Sequence, residues 1–194
     1  MQHRTRNLLA VIQSIAQQTL ADDPALETFA TPLAALGRLQ GLIGEANGNL
    51  IDLSDIVRLE FDALGVTDGD RITVNGPAVP LSFRSVQTIA LVLHELATNA
   101  IKYGALKDRE ARLALNWHVR PGAAGGGALV IDWIESGLRT TPDASKTGFG
   151  RQLIEKALKF TLQANTELVF SPDGVTCHIE IPLPSVRSHD SSSP

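Results

Sequence analysis

The sequence predicts an α+β fold: an N-terminal helical hairpin followed by an α/β sandwich. Three observations carry that expectation. Up to about residue 48 the apolar residues recur at helical spacing, and beyond Gly65 short β-rich runs alternate with two longer helical stretches. Turns such as "PGAAGGGA" and "SPDGVT" separate runs that read as neighbouring antiparallel strands, with the helices on one face.

In the first helix Leu8, Val11, Ile12, Ile15 and Thr19 fall on one side, and His3, Asn7, Ser14 and Gln17 on the other. Asp22, Asp23 and Pro24 form a turn and helix start, and Leu33, Leu36, Leu39 and Ile43 continue an apolar stripe through a second helix. Pro32 must kink that helix or begin it, with Thr31 as its cap. A lone hairpin cannot hide both stripes, so it needs a partner surface, most simply a second copy. Residues 1–48 form this unit and residues 49–184 the sandwich, the boundary lying around Gly48 to Leu53.

The sandwich opens with a helix from a Ser54 cap, "LSDIVRLEFDAL". Strands are expected near Arg71 to Val74, Leu113 to His118, Ala128 to Glu135, Glu167 to Phe170 and Thr176 to Ile181, with helices over Ser82 to Tyr103 and Phe149 to Leu162. Residues 185–194, "SVRSHDSSSP" with its Ser-rich end, read as a disordered tail.

The bulk numbers exclude several classes. The 194-residue chain is 43% hydrophobic and 20% charged, so it can bury a core and is not a disordered polymer. A net charge of −4 without a basic run argues against nucleic acid as a ligand. The single cysteine, Cys177, cannot form an internal disulfide or a repeated Cys-x-x-Cys metal site, and a closing strand should bury it. No apolar stretch approaches the ~18 residues of a membrane span, and "MQHRTRN" lacks a signal-peptide core. A cytoplasmic location fits best.

The most informative stretch is "LVLHELATNAIKYGAL". At ~100° per residue Glu95, Asn99 and Lys102 lie within an arc of roughly 60°, opposite Ile89, Leu93, Leu96, Ala97 and Ala100. A carboxylate, an amide and an ammonium on one arc suit hydrated Mg²⁺ with attached phosphates. A plain solvated face is the bland alternative, against which Asn99 counts, being a poor helix former. Downstream, Asp132 to Glu135 ends a strand, and Thr147, Gly148 and Gly150 mark a helix start with Lys146 and Arg151 beside it. Such a start offers free N–H groups to phosphate, although Gly-Phe-Gly alone is more often a mere turn.

"HRTRN" at His3, "LHELATNAIKYGAL" at His94, "WIESG" at Trp133 and "GFGRQLIE" at Gly148 together resemble the boxes of HWE-type sensor histidine kinases. The naming residues stand as His94, Trp133 and Glu135, and the resemblance runs from His3 to about Leu183, including "PDGVTCHIEIPL". It implies a dimerisation and phosphoacceptor hairpin joined to an ATP-binding domain of the GHKL ATPase type, as in gyrase, Hsp90 and MutL. By that resemblance His3 is the phosphoacceptor, Asn99 binds Mg²⁺ on the ATP phosphates, and Glu95 orients metal-bound water or assists proton transfer. Lys102 and Tyr103 contact phosphate or ribose, Glu135 accepts the adenine amino group, and Gly137 lets the backbone approach the base. Gly148 and Gly150 flank the triphosphate, with Lys146 and Arg151 adding charge.

The implied reaction is in-line transfer of the γ-phosphoryl of ATP to an unprotonated imidazole nitrogen of His3, with Asn7 one turn along, and then to an Asp of a response regulator receiver domain. A homodimer through the hairpin is implied, and so is a longer protein whose upstream sensor domain is not in this chain. Two other readings compete: a histidine phosphotransfer adaptor with a degenerate nucleotide site that does not use ATP, and a serine kinase of the anti-sigma type on the same ATPase fold. His94 and Trp133 themselves read more readily as a structural hydrogen-bonder and a core residue than as catalysts.

Overall fold

The computed structural model describes residues 25–46, 50–67, 69–122, 126–140 and 153–183. The first-helix stripe, the hairpin boundary at Gly48 and the tail at 185–194 lie outside the described residues. In chain order the elements are α1 (Ala25–Glu45), β1 (Ile51–Asp52), α2 (Leu53–Ala63), β2 (Ile72–Asn75), β3 (Pro80–Leu81), α3 (Phe83–Tyr103), β4 (Arg112–Pro121) and β5 (Gly127–Ser136). A π-helical turn (Leu153–Ala157) then runs into α4 (Leu158–Leu162), followed by β6 (Asn165–Ser171) and β7 (Gly174–Leu183).

The five longer strands form one sheet in the order β2-β4-β5-β7-β6. All neighbours are antiparallel except β2 and β4, which are parallel with Ile72 opposite Leu113. That departs from the all-antiparallel expectation for a physical reason. A tight turn can only reverse the chain, whereas the passage through α3 is long enough to return it in the same direction. The pair β1 and β3 is too short to carry any periodicity, and the sequence reading missed it.

Helix α1 runs from Ala25, next to the start expected at residues 22–24, whereas the cap of α2 and the alternative start at Pro32 differ from expectation. Asp52, not Ser54, caps α2: its carboxylate accepts the Ser54 N–H at 2.8 Å and the Ser54 hydroxyl at 2.6 Å. Pro32 neither begins α1 nor follows a Thr31 cap, because the helix already runs from Ala25 and carries Pro32 inside it. Ser82 caps α3 as its position before the apolar run suggests, accepting the Ser85 N–H.

The helices cover one face of the sheet. On α3 the residues Ile89, Leu93, Leu96, Ala97 and Ala100 are all buried, as their common arc requires. They meet Ile56, Val57 and Phe61 of α2, Leu113, Leu115 and Trp117 of β4, Leu129, Ile131 and Trp133 of β5, and Ile154 and Leu158 of the last helix in one continuous core. Trp133 is fully buried, its ring edge-on to Phe61 at 6.2 Å and 87°. Leu39 and Ile43 of α1 join the same core, and Ala35 on that helix is buried too. Part of the stripe expected to await a second copy is thus already covered within the chain.

Candidate functional site

Helix α3 separates its two jobs by angle. Its buried face fixes it on the sheet, and the opposite face presents Asn99, Lys102 and Tyr103 as exposed residues with Glu95 half-buried. Burial pushes the Glu95 carboxyl above its ordinary range, and the charges of His94 and Lys102 partly counter that. Lys102 and Tyr103 both have partners of their own in the fold.

Glu135 follows Leu129, Ile131 and Trp133 on the inward row of β5 and is itself only 5% exposed. Its Oε1 accepts the Trp133 indole N–H at 2.9 Å and its Oε2 accepts the Ala105 N–H at 2.7 Å. Burial raises the carboxyl's pKa, against which the Trp133 and Ala105 bonds act. The carboxylate is therefore held rigidly, yet each oxygen keeps a second lone pair for an outside donor. The Ala105 bond also ties the end of β5 to the end of α3, bringing Glu135 beside the turn that follows Lys102 and Tyr103.

Gly104 makes that approach possible. A Cβ there would lie 1.9 Å from Glu135 Oε2 and 3.0 Å from the Ala100 Cα. At the other side of Glu135, a Cβ on Gly174 would lie 2.1 Å from its carbonyl oxygen. Gly137 takes a left-handed φ of 75°, which lets the chain turn away directly after β5. Leu138, buried, then donates its N–H to the Asp173 carbonyl at 2.8 Å.

The segment between α3 and β4 is pinned as well. Asp108 accepts the Glu110 N–H at 3.0 Å and the Arg139 N–H at 3.3 Å, and the Arg71 guanidinium donates to the Asp108 and Ala111 carbonyls. The Glu110 N–H, with help from Arg139, holds the Asp108 carboxyl below the usual carboxylate range. Gly104, Asp108 and Arg71 carry no signal in the sequence reading. The Gly after "IKY" looks like an ordinary helix stop, and the other two act through the backbone of distant segments.

The structure thus brings Glu95, Asn99, Lys102 and Tyr103 onto one helix face and ties Glu135 to its end, while Gly137 lies against Glu110 and Ala111 ahead of β4. His3, Lys146, Gly148, Gly150 and Arg151 lie outside the described residues. His94 is buried, with Nδ1 2.9 Å from Glu60 Oε2, and Trp133 is core. Among the described residues no three His, Cys, Asp or Glu side chains are grouped to hold a metal. One carboxylate and one amide do fit an ion that keeps most of its shell for phosphate and water. Among the described residues no helix is long and apolar enough to cross a membrane.

Residues 1–78 match the family model described as HWE histidine kinase. A blue-light-activated histidine kinase of Rhizobium johnstonii is 36% identical over 93% of this chain and 51% of its own length. Its counterpart in Brucella anthropi is 33% identical over 93% of this chain and 38% of its own. The chain therefore spans about half, or less, of these relatives. Among solved structures, the histidine kinase domain of the Erythrobacter litoralis EL346 blue-light-activated histidine kinase superposes with a TM-score of 0.63 at 20% identity, covering 94% of this chain and 91% of that one. The catalytic domain of the histidine kinase ThkA superposes at 0.50 and 14% identity, over 69% of this chain and 93% of that one. Over residues 1–78 the chain is thus similar to the HWE histidine kinase family and over 93% of its length to named histidine kinases, and its sheet and helices have the fold of solved histidine kinase domains.

Proposed function

We propose that the chain is the kinase core of a two-component sensor, transferring the γ-phosphoryl of ATP to its own His3 and from there to an Asp of a response regulator. The observation that carries the reading is the exposed Asn99, flanked by Glu95 and Lys102, on a helix whose end is tied to the fixed carboxylate of Glu135. Asn99 and Glu95 would hold Mg²⁺, and the ion would supply charge neutralisation for the triphosphate. Lys102 and Tyr103 would bind phosphate or ribose, with Lys146, Gly148, Gly150 and Arg151 closing on the other side. Glu135 would accept the adenine amino group through its spare lone pairs, and Gly137 would keep the backbone close to the base. Positioning rather than covalent help from the protein would supply most of the rate.

Dimerisation through the two N-terminal helices belongs to the same proposal. The kinship with named histidine kinases supports it, and so does the part of the α1 surface left half-buried at Leu33 and Leu36. The test is incubation of the chain with γ-labelled ATP and Mg²⁺, beside His3→Ala and Asn99→Ala. Acid-labile label on the parent and none on either variant is expected. Acid-stable label would point to a hydroxyl acceptor and refute the histidine. A folded parent that gives no calorimetric heat with Mg-ATP would refute the kinase and favour a phosphotransfer adaptor.

A further inference from the structure

Across the described residues, the buried side-chain nitrogen and oxygen atoms that lack any hydrogen-bond partner number three, and all belong to one cluster: Arg38 Nε, Glu60 Oε1 and His94 Nε2. The cluster joins three helices. Glu60 of α2 offers the single oxygen Oε2 both to Arg38 of α1, whose Nη2 is 2.8 Å away, and to His94 Nδ1 of α3 at 2.9 Å. The Arg38 nitrogen is 3.3 Å from the same imidazole nitrogen. Two donors on one acceptor require His94 to carry its proton on Nδ1, so it donates to Glu60 in either charge state.

Stability alone does not explain such a group. Glu60 and His94 are 0% and 1% exposed, and the Arg38 side chain 28%. Well-packed apolar residues in a buried ionic triad's place are commonly as stable or more so, and each unpaired polar atom adds a cost. What a hydrogen bond supplies and apolar burial lacks is direction. On the C-terminal side of Glu95 the packed face of α3 carries Leu96 and the small Ala97 and Ala100, and on the N-terminal side Val92 and Leu93; this apolar contact seats the helix, and the directed bond of His94 adds an angular constraint beside Glu95. His94 immediately precedes Glu95, and Asn99 is little more than one turn on.

We propose that Glu60 and His94 are positioning residues for the Mg-nucleotide site, fixing the rotation of α3 and hence the aim of Glu95 and Asn99, and that Arg38 makes this rotation depend on the seating of α1. The inference rests on the nucleotide reading above and deepens it. It gives the His of the family signature a role without contact to substrate, and it links the helical unit expected to carry the phosphoacceptor to the phosphate end of the site through one shared oxygen.

The test measures the affinity of a non-hydrolysable ATP analogue by calorimetry in EDTA and in Mg²⁺, for the parent, His94→Leu, His94→Asn and Arg38→Met, with folding checked by circular dichroism. Adenine contacts govern the EDTA value, and Asn99 and Glu95 govern the gain on adding Mg²⁺. His94→Leu is expected to keep the EDTA value and to lose about tenfold of the Mg²⁺ gain, the scale seen when a supporting partner of a metal ligand is removed. His94→Asn, whose amide can donate from nearly the Nδ1 position, is expected to restore it. Arg38→Met, at a part-exposed site where folding is least at risk, should lose several-fold in the same direction. If folded His94→Leu and Arg38→Met keep the full Mg²⁺ gain, or lose affinity equally with and without Mg²⁺, the positioning role is overturned while the nucleotide site stands. A parent that binds no analogue overturns both.

Discussion

Replacing Gly104 by Ala tests the tightest contact around Glu135. The new Cβ would fall 1.9 Å from Oε2, so the carboxylate must withdraw by more than an ångström. Withdrawal breaks the 2.7 Å bond to the Ala105 N–H and pulls on the 2.9 Å bond from Trp133. Losing a buried hydrogen bond of this kind costs about 1–3 kcal/mol, and overpacking adds about 1–3 kcal/mol. The lower entropy of the unfolded Ala chain returns about 0.4–1 kcal/mol. The backbone itself is not the obstacle, since φ at Gly104 is −120°. Taken at mid-range these terms leave a net loss of about 3 kcal/mol, which corresponds to a fall in Tm of roughly 6–12 °C for a chain of this size. Thermal unfolding followed by circular dichroism measures it, with Gly37→Ala as control, because nothing lies within 4 Å of that helical position. The control should be neutral or gain up to about 1 kcal/mol. If Gly104→Ala stays within about 2 °C of the parent, or costs as much in a Glu135→Ala background as in the parent, the reasoning about Glu135 is refuted.

Asn99→Ala should separate binding from stability. The residue is exposed on α3, so its loss should raise stability by about 0.5 kcal/mol through helix propensity while removing Mg-dependent nucleotide binding; a destabilised variant would mean that the amide is structural. Trp133→Phe removes the indole N–H from Glu135 and should cost about 2 kcal/mol in a denaturant titration, and an unchanged midpoint would contradict the hydrogen bond. Cys177 is fully buried and its thiol is pushed up from 9.0 to about 12, chiefly by desolvation and then by Asp132. A raised value means that the folded state holds the proton longer. Its contribution to stability is therefore complete below pH 9 and is lost as pH rises towards about 12. Cys177→Ser should flatten the alkaline loss of stability, and at neutral pH a thiol reagent should label the parent only after unfolding.

Legibility in the sequence followed the range of the interactions. The division of α3 into a packed and a presented face was readable because a 3.6-residue period is local, and Ile89, Leu93 and Ala97 fell where it put them. The inward course of β5 was readable for the same reason with a period of two. Glu60 was not. In "LSDIVRLEFDAL" it looks like one more solvated carboxylate, and its burial is decided by Arg38 and His94, which stand 22 and 34 positions away. The cap of α2 failed differently, since Asp52 and Ser54 are both good caps and the choice turned on Asp52 Oδ1 accepting the Ser54 N–H, with the Ser54 hydroxyl donating to the same oxygen. Gly104 was legible as a helix stop but not as the recess for a side chain supplied by β5.

The sheet's single parallel register has a kinetic consequence. Strands β4 and β5 form one hairpin and β6 and β7 another, each closed by a short turn, whereas β2 can reach β4 only after the whole of α3 lies between them. Closing a long loop costs entropy before any contact repays it. Refolding should therefore zip the two hairpins first and add β2 last, so pulsed deuterium labelling should find the amides of Ile72–Asn75 the slowest in the sheet to become protected. Until that final strand arrives, the free edge of β4 is where a second unfinished chain would stick.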